Sequence, residues 1–327
     1  MCIRDSACNG WITVGTLIVF TSTLGMLLFP IRQLGRTLSD AGKAMVSMKR
    51  VQAILHEEAE PDEPNALKPD LHGDIVFDHV SFAYPDDNVP VLRDVSFTIP
   101  AGKTAAVLGG TGSGKSTMMY LLQRLYTPTS GKITIGGVDI QQIDRKYLRA
   151  HVGLILQEPF LYSKSIRENV GITAPEQEAE RIEHAADIAS ASGFIAKADK
   201  GWETVVGERG VTISGGQKQR SSIARALMKD APILLLDDAL SAVDTDTERQ
   251  ILDNLHRLRK GRTTIIVAHR ISTIQDADHI LVLDEGKVEE YGTHEELLNN
   301  GKLYASLYRK QQLEKELHEE GGAAHAE

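Results

Sequence analysis

The sequence predicts an α/β protein with a mixed, largely parallel sheet core, an antiparallel β subdomain and an inserted helical subdomain, preceded by one transmembrane helix with a cytoplasmic extension. Short all-apolar runs alternate with amphipathic segments, which is typical of parallel strands covered on both faces. A Gly-rich loop joins one of these runs to a helix. Residues 11–31 carry no charge and match the ~20 residues that a helix needs to cross a membrane.

The composition is globular, with 42% hydrophobic and 25% charged side chains in 327 residues, enough for two compact units. A net charge of −9 without a Lys/Arg-rich run argues against a nucleic-acid partner. Only Cys2 and Cys8 occur, so no disulfide framework is expected. Residues 1–6 lack the pattern of a signal peptide and resemble a translated sequencing adapter. We therefore expect residues 1–10 to be a non-native start and the chain to be an N-terminally truncated fragment.

The apolar stretch is followed by five basic residues, whereas only Arg4 precedes it; the five are Arg32, Arg36, Lys43, Lys49 and Arg50. This asymmetry predicts that the C-terminal side is cytoplasmic. Beyond Pro30, apolar residues recur at spacings of three and four, so the helix should continue to residue 55 with one packing stripe. A buried helix of a soluble protein is the alternative interpretation.

A linker and a second domain follow. Residues 56–72 hold three prolines among acidic residues, a composition that cannot bury a core. The domain spans residues 73–310 and begins with alternating patterns that predict antiparallel strands. Its four apolar runs, 105–108, 152–156, 233–236 and 264–268, predict the parallel sheet, and the strand-free segment 165–229 predicts the helical subdomain. Residues 311–327 form a charged tail.

Residues 109–116 match G-x-x-x-x-G-K-[ST] between a predicted strand and a helix over 116–125. Such a loop curls its backbone N–H groups around phosphate, which predicts ATP as ligand. The expected contacts are Gly109, Gly110, Thr111, Gly112, Ser113, Gly114, Lys115, Ser116 and Thr117. Lys115 should hold the β- and γ-phosphates and Ser116 should bind Mg²⁺. The run 233–236 ends in Asp237, the expected second Mg²⁺ contact, although an acid here could also cap the next helix.

A second motif identifies a family. Residues 214–220 read Ser-Gly-Gly-Gln-Lys-Gln-Arg, which resembles the signature of ABC transporters, Leu-Ser-Gly-Gly-Gln, with Ile213 in place of Leu. A helix start of this kind offers N–H groups and a hydroxyl to an anion, although a simple helix cap is the alternative. The resemblance implies that four residues face the γ-phosphate bound by the opposite protomer: Ser214, Gly215, Gly216 and Gln217.

The resemblance covers residues 11–309 and implies further roles. An aromatic residue stacks on adenine, a glutamine senses Mg²⁺ and the γ-phosphate, a histidine contacts the γ-phosphate, and a carboxylate is the general base. The matching residues are, in that order, Tyr84, Gln157, His269 and Asp238. Residues 241–244 resemble the loop that links the two nucleotide sites across the dimer, and residues 207–210 resemble a segment that couples to membrane-domain loops.

The pattern is similar to exporter half-transporters, in which six membrane helices precede the ATPase domain, and most closely to bacterial multidrug or lipid exporters. Residues 11–55 would then be the last membrane helix and its extension. The resemblance implies an ATPase that couples ATP-driven dimer closure to export of a hydrophobic or amphipathic drug or lipid. The location would be the bacterial plasma (inner) membrane, with the ATPase domain in the cytoplasm. The partners would be a second half-transporter, the chain's own missing membrane helices and the lipid bilayer.

Asp238 sets this chain apart, because efficient members of the family carry Glu at that position. Asp is one methylene shorter, so we expect slow turnover at this chain's own site and favour a heterodimer over a homodimer. Three other interpretations stay open: an importer ATPase subunit, a soluble ABC ATPase, and a nucleotide-binding regulatory module without turnover. The first two lack a fused membrane helix.

Overall fold

The computed structural model of the protein describes residues 8, 10–60, 64–85, 87, 89–174, 176 and 178–323. The chain divides into two compact units, Met1–Asp62 and Glu63–Glu327. The predicted non-native start lies outside the described residues except at positions 8 and 10. Residues 61–63 of the predicted linker and residues 324–327 of the predicted tail also lie outside them.

The first unit contains one long helix, α1 (Val14–Leu55), which continues through Pro30. The Thr13 hydroxyl begins it by accepting a hydrogen bond from the Thr16 N–H at 3.2 Å. None of the helix side chains is buried, and an 18-residue window has a mean hydropathy of 1.9. At 1.5 Å per residue the helix is ~63 Å long, about twice a ~30 Å hydrocarbon core. By length and composition, part of α1 is able to cross a membrane.

The second unit contains two sheets, and the predicted fold class is confirmed. The first sheet is antiparallel with the order β2-β1-β4-β5, and the second has the order β10-β9-β3-β8-β7-β6. In the second sheet only β10 is antiparallel to its neighbour. The strands are β1 (Ile75–Ala83), β2 (Pro90–Ile99), β3 (Thr104–Gly109), β4 (Ser130–Ile135), β5 (Val138–Asp139), β6 (Val152–Ile155), β7 (Ile233–Asp237), β8 (Thr263–Val267), β9 (His279–Asp284) and β10 (Lys287–Gly292).

Ten helices accompany these sheets within the described part of the second unit: α2 (Lys115–Leu122), α3 (Arg145–His151), α4 (Ile166–Gly171), α5 (Ala179–Ile188), α6 (Ser192–Lys197), α7 (Gly215–Leu227), α8 (Thr245–Leu258), α9 (Ile271–Ile274), α10 (His294–Asn300) and α11 (Leu303–Ala323). Short 3₁₀ turns lie at Ile140–Gln142, Gly201–Glu203 and Glu208–Gly210. The helix predicted over 116–125 ends at Leu122, because Arg124 adopts a left-handed backbone with φ 51°. The predicted tail is helical through Ala323.

The parallel sheet is buried on both faces. Ala106 and Leu108 of β3 enter one hydrophobic cluster, whereas the alternate residues Ala105 and Val107 enter the other. The first cluster joins the sheet to helices of the helical subdomain and to α11. The second joins it to the antiparallel sheet and α2. This double burial explains why the strands are apolar throughout rather than alternating.

Candidate functional site

The phosphate loop, residues 109–116, runs from the end of β3 to the first turn of α2. Gly114 is the N-cap of α2 and has φ 100°, a conformation that L side chains rarely adopt. A Cβ at Gly114 would lie 2.5 Å from Cδ2 of Leu92 and 3.2 Å from the Val91 carbonyl oxygen, which together with the positive φ strongly favours glycine. A curled, glycine-rich backbone before a helix commonly presents N–H groups to an anion.

Lys115 is folded onto the loop from which it extends. Its ammonium donates to the Gly109 carbonyl at 2.8 Å and to the Gly110 carbonyl at 2.7 Å. Burial lowers the pKa of Lys115, and the nearby carboxylates of Asp237 and Asp238 oppose that shift. A phosphate in the loop would compensate the buried charge.

Two further loop residues are suited to a ligand. Ser113 is 4% exposed, and its buried hydroxyl oxygen makes no hydrogen bond with the described residues. A buried hydroxyl of this kind commonly has a partner, which a bound phosphate could supply. Gly109 has no space for a side chain, because a Cβ there would lie 2.6 Å from the Ser113 hydroxyl. The loop therefore fits a phosphate closely without added side-chain volume.

Ser116 and Asp237 meet in space although 121 positions separate them. The Ser116 hydroxyl donates to Oδ1 of Asp237 at 3.1 Å. Burial raises the pKa of Asp237, and the hydrogen bond from Ser116 opposes this. A hydroxyl and a carboxylate suit Mg²⁺, which commonly completes its shell with water and phosphate oxygens. No group of three or more His, Cys, Asp or Glu able to hold a metal occurs among the described residues.

The three predicted catalytic residues lie at the carboxyl edge of the parallel sheet. Asp238 follows β7, Gln157 follows β6 and His269 follows β8. The Gln157 amide donates to Oδ2 of Asp238 at 3.3 Å. Asp238 and His269 line one small cavity of about 80 Å³. The arrangement brings a carboxylate, an amide and an imidazole to one side of the phosphate loop.

The backbone of Asp238 is firmly held. Its N–H donates to the Val267 carbonyl at 3.0 Å, and its carbonyl accepts from the Ser241 N–H at 3.3 Å and hydroxyl at 2.9 Å. The residue has φ 46°, in the left-handed region that Asp tolerates better than most residues. The reach of the carboxylate therefore depends on the length of the side chain.

Tyr84 lies next to the phosphate-loop helix. Its hydroxyl is 3.0 Å from the Thr117 hydroxyl. Phe82 and Tyr126 pack against it in T-shaped contacts, with ring centroids 4.9 Å and 5.1 Å away. These contacts fix the plane of the Tyr84 ring beside α2, where the resemblance expects an adenine contact.

Ser214 is the N-cap of α7. Its hydroxyl accepts from the Gln217 N–H at 3.3 Å, and its own N–H donates to Oε1 of Gln217 at 2.9 Å, a reciprocal capping box. Ser214 and Gly215 are exposed. A Cβ at Gly216 would lie 2.7 Å from the Ala242 carbonyl oxygen, so the helix start packs closely on residues 241–244. Ser214 therefore caps α7, and the exposed N-terminus of the helix leaves room for a ligand from outside the chain.

Gln219 is a residue for which sequence reasoning gave no role. It is 3% exposed, and its amide donates to the Ser241 hydroxyl at 3.1 Å and accepts from the Ala242 N–H at 2.9 Å. It therefore joins the helix that begins at the signature to the loop that follows Asp238. The sequence signal that could have identified Gln219 is its position on the buried face of α7.

This loop, this Ser–Asp pair and this sheet edge define a nucleotide-binding domain of the P-loop class. The Ser-Gly-Gly-Gln segment that begins α7, within the inserted helical subdomain, indicates the ABC type. The ABC transporter family model matches residues 92–241. The chain carries an ABC transporter domain.

Comparison with known proteins finds bacterial exporters and flippases among the relatives of this chain. YgaD of Bacillus subtilis (strain 168), named as a candidate multidrug export ATP-binding/permease protein, is 43% identical over 307 residues, which are 93% of this chain and 53% of that protein. The ATP-dependent lipid A-core flippase of Escherichia coli (strain K12) is 42% identical over 301 residues, 92% of this chain and 52% of the flippase. The solved structure of a bacterial Atm1-family ABC exporter with ATP bound matches this chain with a TM-score of 0.77 at 39% identity. The match covers 92% of this chain and 53% of the exporter chain. The chain spans about half the length of the curated relatives it matches.

Proposed function

We propose that this chain is the ATP-binding and ATP-hydrolysing portion of an ABC exporter, which couples closure of a dimer around ATP to export of a drug or lipid. The observation that carries the proposal is the meeting of the phosphate loop with Asp237 and Asp238 at one sheet edge, supported by the hydrogen bond between Ser116 and Asp237. Phosphoryl transfer requires positioning and charge neutralisation more than covalent chemistry, and these residues supply both.

Each residue has a distinct part in the proposed reaction. Lys115 exchanges the Gly109 and Gly110 carbonyls for phosphate oxygens. Ser116 and Asp237 would hold Mg²⁺, which when bound would neutralise phosphate charge. Asp238 accepts a proton from the attacking water, with Gln157 and His269 beside it. The exposed start of α7 contacts the γ-phosphate held by the other protomer, and Tyr84 stacks on adenine.

The finer proposal is a heterodimer in which this chain's own site turns over slowly. Its general base is Asp238, one methylene short of a glutamate, or ~1.5 Å less reach. A homodimer with fast sites would require the backbone to advance the carboxylate. The hydrogen bonds of Asp238 to Val267 and Ser241 oppose such a movement. The second half of the proposal is that the signature segment of this chain completes the efficient ATP site of its partner. The capped start of that segment supports it.

We also propose a bacterial plasma membrane location with the ATPase domain in the cytoplasm. The apolar residues of α1 support it, since Phe20, Leu24 and Leu27 are all exposed and would require lipid or partner helices around them. Extraction that requires detergent would favour this proposal. Release of the full-length protein by salt alone would instead favour an importer subunit or a soluble ATPase.

Nucleotide binding and turnover test the core of the proposal. Lys115→Ala should abolish tight binding of a fluorescent ATP analogue by this chain and Mg²⁺-dependent ATP hydrolysis by the full-length protein, because the neutralising charge is lost. Lys132→Ala is the matched control, since Lys132 is exposed on β4 and pairs at the surface with Asp78. Unchanged affinity in Lys115→Ala would overturn the assignment of the phosphate loop.

A further inference from the structure

We propose that Gln311, on the last helix, is a positioning residue for ATP hydrolysis: its carboxamide clamps the main chain on both sides of Arg270 and so fixes His269. The inference rests on the proposed function. It assigns a task at the nucleotide site to a residue in the segment predicted from sequence to be a charged tail.

Gln311 uses both ends of its amide on the segment that follows β8. The Nε2 group donates to the His269 carbonyl at 2.8 Å, and Oε1 accepts from the Ile271 N–H at 2.8 Å. The two partners have opposite polarity, so the orientation of the amide is determined by them. The residues are 42 and 40 positions apart in sequence.

The clamp supplies a hydrogen bond that the helix start itself does not provide. Ile271 is the first residue of α9, and the first N–H groups of a helix have no acceptor within it. The N-cap residue is Arg270, which makes no side-chain capping hydrogen bond. Ser, Thr, Asp or Asn commonly fills this position. Oε1 of Gln311 replaces the missing cap from another helix.

The position of Gln311 is fixed by the docking of α11. Tyr304 is fully buried, its N–H donates to Oε1 of Glu290 at 2.8 Å, and its hydroxyl is 2.6 Å from Nδ1 of His294. Tyr308 packs on the same hydrophobic cluster. Gln311 follows Tyr304 by seven residues, about two turns, so it lies on the same face of the helix.

A second contact holds the other side of the segment. Glu248 of α8 is 4% exposed and accepts hydrogen bonds from Arg270 at 3.0 Å and from the Thr273 hydroxyl. Next to it lies the cavity of about 80 Å³ that His269 and Asp238 share. The cavity gives the segment room to shift if one clamp is lost. Gln311 therefore limits where the imidazole can lie relative to Asp238.

The clamp should act on the chemical step rather than on nucleotide binding. The phosphate loop lies between β3 and α2, and Tyr84 directly follows β1; the amide of Gln311 contacts none of these segments. A misplaced imidazole stabilises the transition state less well and leaves the binding of ATP in the ground state unchanged. The expected signature of a lost clamp is a lower kcat at unchanged KM.

The test uses the full-length protein purified without a partner half-transporter, so that only sites built by this chain contribute. Gln311→Ala should lower kcat about tenfold and change the KM for ATP by less than about twofold. Gln311→Glu has the same shape but presents a carboxylate to the His269 carbonyl, so kcat should fall similarly. Gln312→Ala is the matched control, because Gln312 is the neighbouring, exposed glutamine.

A double-mutant cycle with His269→Ala decides whether Gln311 acts through His269. In that background Gln311→Ala should cause no further loss of kcat, since the group that it positions is gone. An additive loss, an unchanged kcat in both Gln311 variants, or a fall that Gln312→Ala shares would overturn the inference. If Lys115→Ala leaves turnover intact, the proposed function has failed. If Lys115→Ala abolishes turnover and the Gln311 variants leave it intact, this inference alone has failed.

Discussion

Lengthening Asp238 by one methylene should turn a slow ATP site into a faster one. Asp238→Glu extends the carboxylate by ~1.5 Å, while the hydrogen bonds to Val267 and Ser241 keep the backbone in place. General-base catalysis contributes about 10²–10⁴-fold, so recovery of part of it should raise kcat by about tenfold to a hundredfold. The left-handed backbone at φ 46° suits Glu less well than Asp, so the variant should lose up to about 1 kcal/mol of stability.

The assay is steady-state ATP hydrolysis by the full-length protein purified alone, with Asp238→Asn beside it. Asp238→Asn keeps the shape, and its amide lacks a basic oxygen able to take the proton, so its kcat should equal or fall below that of the parent. Affinity for the ATP analogue should be alike in all three proteins, because none of the changes touches the phosphate loop. Fast turnover of the parent that disappears in Asp238→Asn and does not rise in Asp238→Glu would refute the reasoning.

Three further outcomes are expected. Tyr84→Ala should weaken ATP and GTP alike by about 1–3 kcal/mol in equilibrium binding, since stacking is largely indifferent to the edge of the base; a selective loss of one nucleotide would contradict this. Ser214→Ala should cost about 1 kcal/mol in urea unfolding through the lost cap of α7 and should slow hydrolysis by the dimer, while ATP affinity of the isolated chain stays unchanged. Gln219→Leu leaves the Ala242 N–H without its partner and should destabilise the domain by about 1–3 kcal/mol in the same unfolding assay, with Gln217→Leu, which breaks only the capping box, as the milder comparison.

Part of the fold could be predicted from the sequence because the sequence signals for it are local or periodic. The alternation over 75–84 and 95–99 marks strands with one buried face, and the all-apolar runs mark strands with two. Strands β4, β5, β9 and β10 were not predicted. Residues 287–292 include charged side chains, and β10 lies at the sheet edge, where one side needs no strand partner.

What the sequence by itself determined was the phosphate loop and the helix that follows it, because a curled backbone at Gly112 and Gly114 depends on residues next to one another in the chain. Only the tertiary structure decided which distant side chains meet there. Ser116 and Asp237 lie 121 positions apart, and Gln311 reaches His269 across 42. The amide of a glutamine bonds equally well to water or to protein, so its role depends on burial and on the partner that the fold brings to it.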